Sequence, residues 1–206
     1  ADFDNFFFSR KNKLLKSELE NFLNGETGQN IFLTADNGNG KTFLLNSILN
    51  HKHLQDLKVI YIDVALLKEE KNYFTELSDF DLICLDNIHK TLQSIEVQIF
   101  NLINQCKNTS TSLLFASGNH PNDLNFLPDL VSRFNAFKQY RIHPIADDDV
   151  TECIKFVASK LKLNYSHDLT DYFSTRIKRD FISIKSTMQD FDKFLYSEQK
   201  QPTKIS

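Results

Sequence analysis

The stretch Ala35-Asp36-Asn37-Gly38-Asn39-Gly40-Lys41-Thr42 holds the densest group of residues suited to chemistry in this chain. Each residue type there suits a polyphosphate. Glycines at 38 and 40 let backbone N–H groups approach an anion closely, and a helix starting there adds the positive end of its dipole. Lys41 offers a point charge to the outer phosphates, and the Thr42 hydroxyl is a hard oxygen suited to Mg²⁺. Asn37, Gly38, Asn39, Gly40, Lys41, Thr42 and Phe43 are therefore the expected nucleotide contacts. Ala35 stands where the usual pattern has its first glycine, a position that shapes the turn, so a stiffer loop is expected rather than lost binding. A chance Gly-rich turn before a basic helix is the alternative, and the strand–helix setting argues against it.

A second chemical position is Asp86, directly after the apolar run Leu82-Ile83-Cys84-Leu85. A carboxylate at the carboxyl end of a buried strand can hold Mg²⁺ through water, so Thr42 and Asp86 form the expected metal pair. A plain turn cap is the competing role. The next residue is Asn87, where a hydrolytic P-loop site carries an acid to polarise water. An amide has no useful basicity near neutral pH, so good binding with poor intrinsic hydrolysis is expected.

The surrounding pattern supplies the elements such a site needs. Short apolar runs at 31–34, 59–62, 82–85 and 113–116, with a fifth at 139–142, alternate with helical patterns. They read as a parallel sheet covered on both faces, an α/β fold. After Pro144 the pattern becomes purely helical. Val150, Cys153, Ile154, Val157 and Leu161 form one stripe, preceded by Asp147, Asp148 and Asp149, whose charge favours a helix N-terminus. A shorter helix is expected at 169–177, and Phe181, Ile184, Met188, Phe191 and Leu195 mark the last. The expected layout is a nucleotide-binding α/β domain at 1–143 and a helical lid at 144–206, with a frayed tail from Gln199.

Composition sets limits. A net charge of -3 excludes polyanion binding by bulk electrostatics and leaves room for a local basic patch. Nineteen Phe and no Trp mean that Phe rings carry the aromatic packing. Cys84, Cys106 and Cys153 lack metal-ligand spacing and read as buried thiols of a reducing cytosol. No apolar run approaches the roughly 18 residues of a membrane span, and no signal peptide opens the chain. The chain begins at Ala1 without Met, so an upstream leader is left open.

These motifs resemble the DnaA-related AAA+ family, and within it the Hda branch of DnaA regulatory inactivators. Phe3-Asp4-Asn5-Phe6 followed by Asn12 resembles the segment that lies against adenine, which implies nucleotide roles for Phe6 and Asn12. The Ala-led phosphate loop and Leu85-Asp86-Asn87-Ile88 resemble the Hda branch in particular. Leu127-Pro128-Asp129-Leu130-Val131-Ser132-Arg133-Phe134 resembles the segment bearing the trans-acting arginine, which implies Arg133 as the finger. Read without the motif, Arg133 would cap a helix end or pair with Asp129. The resemblance implies a five-stranded parallel sheet in order 5-1-4-3-2 with a helical lid, bound ADP or ATP with Mg²⁺, and a bacterial cytoplasmic, nucleoid-associated setting. It also implies DnaA and the DNA-loaded sliding clamp as partners, the clamp through a short peptide that would precede Ala1. Self-association stays open, and DNA contact is weak or indirect. Two positions depart from the pattern. The acid of the first sensor falls on Gly118, with Asn119 able to serve as the general sensor, and the arginine of the second falls on Ile182.

Other readings remain in play: an excised DnaA ATPase domain, a DnaC-type helicase loader, or a nucleotide-locked scaffold. Asn87, Ala35 and the lack of a helix-turn-helix weigh against the first. The opening segment and the Ser132-Arg133-Phe134 context favour the Hda side over the loader. His51 and His53 read as a solvated helix end, and Lys11, Lys13 and Lys16 as a solvated basic face on the first helix.

Overall fold

A computed structural model describes residues 3–24, 28–51, 54–69, 71–163 and 167–198. His53 and the tail from Gln199 lie outside the described residues. Five strands form one parallel sheet: β1 (Asn30–Thr34), β2 (Val59–Asp63), β3 (Leu82–Asp86), β4 (Ser112–Ser117) and β5 (Lys138–Arg141). Their order is β2-β3-β4-β1-β5, which is the expected 5-1-4-3-2 read from the other edge. Every residue of β3 and β4 is buried, which is why those segments read as unbroken apolar runs. β5 lies at an edge and is only half covered. It starts one residue before the expected 139–142 run, and Ile142 continues the ladder by donating its N–H to Thr34 O at 2.8 Å.

Helices α1 (Lys13–Leu23), α2 (Lys41–Leu49), α3 (Gln93–Cys106) and α4 (Pro128–Asn135) cover the sheet. After β5 follow α5 (Asp147–Leu161), α6 (His167–Ser174) and α7 (Phe181–Glu198). Alternation along each strand divides the interior in two. Ile31, Leu33, Cys84 and Leu114 face a core shared by α1, α2, α5 and α7. Phe32, Ile83, Leu85 and Phe115 face a core shared by α3 and α4. Phe134 anchors the second core, with ring centroids 5.1 Å from Phe32 and 5.9 Å from Phe115, a role a Trp would otherwise fill. All three cysteines are buried free thiols.

The acidic triplet lies at the helix N-terminus as expected: Asp147, Asp148 and Asp149 are the first three residues of α5, and Asp149 is buried. It accepts the Arg10 guanidinium at 2.9 Å and the Arg10 N–H at 3.3 Å, so it also anchors the opening segment. Lys11 lies in a 3-10 turn ahead of α1, so it shares no helix face with Lys13 and Lys16.

Candidate nucleotide-binding site

The phosphate loop joins β1 to α2. Gly38 and Gly40 adopt left-handed backbone angles, φ 86 and 85. A Cβ at Gly38 would stand 2.8 Å from Asp180 Cγ, and one at Gly40 would stand 2.8 Å from Phe6 Cε2. Both positions therefore need glycine for conformation and for room. The first-turn N–H groups of α2 have no intrahelical acceptors and open onto the loop. Lys41 is buried, and its ammonium donates to Ala35 O at 2.6 Å and Asp36 O at 3.2 Å. Burial pushes its pKa down, and Asp86 and Asp36 oppose that shift. Asn39 is buried beside the loop, whereas Asn37 is exposed.

The β3 terminus brings Asp86 to Thr42. The Thr42 hydroxyl donates to Asp86 Oδ2, the Tyr61 hydroxyl donates to the same oxygen at 3.1 Å, and the Asn87 N–H donates to Oδ1 at 2.7 Å. Burial and the Asp86 charge push the Tyr61 pKa up, so Tyr61 stays a donor. Two hard oxygens, a hydroxyl and a carboxylate, thus converge beside the loop, a donor set that fits Mg²⁺. Among the described residues no group of three or more His, Cys, Asp or Glu could hold a metal alone, so a nucleotide would have to complete the coordination. Asn87 is left-handed at φ 59, and its amide donates to Asp63 Oδ1 at 2.9 Å.

The sensor position carries an arrangement absent from the sequence expectation. Gly118 donates its N–H to His89 Nδ1 at 2.8 Å, and a Cβ there would meet His89 Nε2 at 3.0 Å. Burial, then Lys41 and Lys90, hold the His89 pKa below its ordinary value. Asn119 is exposed and lines a cleft of about 400 Å³ with Ala35, Asp36, Gly118 and Arg141.

The opposite wall is aromatic. The Phe6 ring lies 6.3 Å from Phe43 and 4.9 Å from Phe181, and Lys185 Nζ sits 3.9 Å from the Phe43 centroid. Of these, Phe43 and Lys185 line a cleft of about 300 Å³ together with Asn5, Phe156, Lys160 and Gln189, while Phe6 and Phe181 are buried behind it. Asn12 is not part of that wall. It is buried, donates to Ser9 Oγ and His143 O at 3.0 Å each, and accepts the His143 N–H at 2.8 Å, so it clamps the opening segment to the exit of β5. The α7 N-terminus closes on the loop: Ile182 donates its N–H to Gly38 O at 3.2 Å. Asp180 caps that helix, accepting the Ser183 N–H and hydroxyl at 2.8 Å each. At the position of the second sensor, Ile182 therefore contributes backbone while its side chain is exposed. Arg179 pairs with Asp147.

Arg133 is not brought to this cleft. It sits on α4, whose Leu130 and Phe134 pack in the second core, while α2 packs in the first. The sheet separates the two. The guanidinium lies 5.5 Å from the Phe100 ring centroid and makes no ion pair among the described residues, so the alternative pairing with Asp129 does not form.

Tyr61, Asp63, His89, Asp180 and Phe181 escaped sequence reasoning. Two signals were present. Residues 61 and 63 alternate onto one strand face, and Asp63 falls level with Asp86 once β2 and β3 are paired. Asp180 and Ser183 have the spacing of a helix cap.

The chain matches the family described as the bacterial DnaA ATPase domain over residues 1–138. An uncharacterized protein from Haemophilus influenzae is 26% identical over 206 residues, covering 96% of this chain and 87% of that one. The DnaA replication initiator bound to AMPPCP and single-stranded DNA superposes with a TM-score of 0.81 at 20% identity, over 96% of this chain and 67% of that chain. Domain III of Thermotoga maritima DnaA gives 0.82 at 17% identity, over 98% and 91%. The Thermotoga maritima RuvB branch migration motor gives 0.72 at 18% identity, over 96% and 68%. Among the described residues no helix is long and apolar enough to cross a membrane.

Proposed function

We infer that this chain, which belongs to the bacterial DnaA ATPase-domain family, is an Hda-like regulator that holds ADP and promotes hydrolysis of ATP bound to DnaA on clamp-loaded DNA. Residues 1–143 act as its nucleotide-binding unit and 144–206 as its lid. The loop N–H groups and Lys41 take the phosphates. Thr42 and Asp86 hold Mg²⁺, which supplies charge neutralisation at the phosphates. Phe6, Phe43 and Lys185 supply the base side of the cleft. The cytoplasm, near the nucleoid, is the setting this role requires.

One observation carries the reading. Position 87 presents an amide bonded to Asp63, while Arg133 stands on the far side of the sheet without an ion pair among the described residues. Position 87 thus offers no base, and Arg133 is left to enter another subunit's site. A guanidinium offered to a neighbour's γ-phosphate contributes about 10³–10⁵ in rate. The test measures DnaA-bound ATP hydrolysis on clamp-loaded DNA with the whole encoded protein. Wild type should stimulate and Arg133→Ala should not, with ADP binding retained. Equal stimulation by both overturns the finger, and no stimulation by wild type overturns the Hda-like role.

A further inference from the structure

We propose that Asp63 is the positioning residue that fixes an uncharged, donor-bearing side chain at position 87, so that an acid there is incompatible with this chain unless Asp63 loses its charge. The meaning of this lock for hydrolysis rests on the nucleotide-site reading above. The lock itself rests on geometry.

Pairing of β2 with β3 sets Asp63 level with Asp86, at the carboxyl edge of the sheet. Residue 87 leaves β3 in a left-handed conformation, which aims its side chain at the neighbouring strand end. There the amide donates to Asp63 Oδ1 at 2.9 Å. The same oxygen accepts the Ala65 N–H at 3.0 Å and so starts the turn after β2. Asn87 is held by its main chain as well: its N–H donates to Asp86 Oδ1 at 2.7 Å and its carbonyl accepts the Lys90 N–H at 2.8 Å.

The charge logic is one-sided. Asp63 makes no ion pair among the described residues, so neutral N–H donors alone satisfy it. An acid at 87 has the same shape as Asn87 but no donor, and it would set two carboxylates at hydrogen-bond distance with Asp86 next in line. Such a pair separates or disrupts the turn. An amide at 63 resolves the conflict. Its oxygen can keep the Ala65 N–H while its NH₂ donates to a carboxylate at 87. Residue 87 is therefore coupled to residue 63, and restoring an acid takes two changes.

The test is a double-mutant cycle in thermal unfolding with wild type, Asp63→Asn, Asn87→Asp and the double variant. Asn87→Asp alone should lower the midpoint by at least about 5 °C, since 1 kcal/mol moves a chain of this size by roughly 2–4 °C. Asp63→Asn alone should stay within about 2 °C of wild type, and the double variant should recover most of the loss. Such rescue by a destabilising or neutral second change is what a general packing role would not give. The proposal is overturned if Asn87→Asp melts within about 2 °C of wild type, or if the double variant melts no higher than Asn87→Asp. ADP titration of wild type runs beside the cycle. Absent ADP binding removes the nucleotide reading and leaves the coupling measured.

Discussion

The phosphate-loop end and the α4 end of this molecule spend their polar groups in opposite ways. At the loop, Lys41, Thr42, Tyr61, Asp86 and Asn87 are all bonded to one another or to nearby backbone. At α4, the guanidinium of Arg133 lies over one ring, with no carboxylate to hold it among the described residues. A buried polar group without a partner is costly, and the loop end satisfies its own. A half-exposed arginine pays little for waiting. The contrast is the basis on which the proposed role assigns nucleotide to the loop end and a partner's site to Arg133.

The sharpest way to break that contrast is Arg133→Ala. Stimulation of the partner's hydrolysis should fall by up to about 10³–10⁵, read as phosphate release. The fold should barely notice, because a cation–π contact of this exposure contributes about 0.5–1 kcal/mol. A large loss of stability would show that α4 needs the arginine for itself. Lys41→Ala tests the other end. ADP affinity by calorimetry should drop roughly tenfold to a hundredfold, from loss of a charge-assisted bond of about 1.5–3 kcal/mol. Unchanged affinity would remove the loop as the phosphate site.

Smaller effects refine the comparison. Gly40→Ala puts a Cβ 2.8 Å from Phe6 and forces left-handed strain. It should cost at least about 1–2 kcal/mol in denaturant unfolding and weaken ADP binding as well. Asp180→Ala removes the cap of α7 and should cost about 1 kcal/mol. ADP should recover part of that loss if the lid closes on nucleotide. The smallest effect is a pH dependence at His89. Its pKa is depressed, so the folded chain binds fewer protons than the unfolded chain just below the ordinary value of 6.5. Stability should therefore decline as pH falls below that value, and His89→Gln should flatten the decline in melts taken between about pH 7.5 and 5.5.

The sheet was legible because buried parallel strands write themselves as short apolar runs, and 82–85 and 113–116 lie within fully buried strands. The loop was legible because phosphate chemistry demands contiguous residues. Contacts between distant segments were not. Nothing local announces that Asn87 reaches Asp63 or that His89 fills the space at Gly118, since both depend on strand order. Asn12 makes the same point from another side. It sits near Phe6 in sequence, yet its amide is used up on Ser9 and His143. The acid triplet was legible as a helix N-terminus, but the pairing of Asp149 with Arg10 is another distant contact that no helix-dipole argument foresees.

The meeting of Phe6 with Phe181 over Gly40 has a consequence for how the molecule is made. Residues 6 and 10 are translated well before their partners Phe181 and Asp149, which follow the last strand of the sheet. Closing contacts at such separation is slow, because loop entropy is lost before any contact repays it. Phe6 can meet Phe43 as soon as α2 forms, whereas its contact with Phe181 waits for α7. The Phe181 side of the cover over Gly40 is therefore among the last parts of the molecule to close.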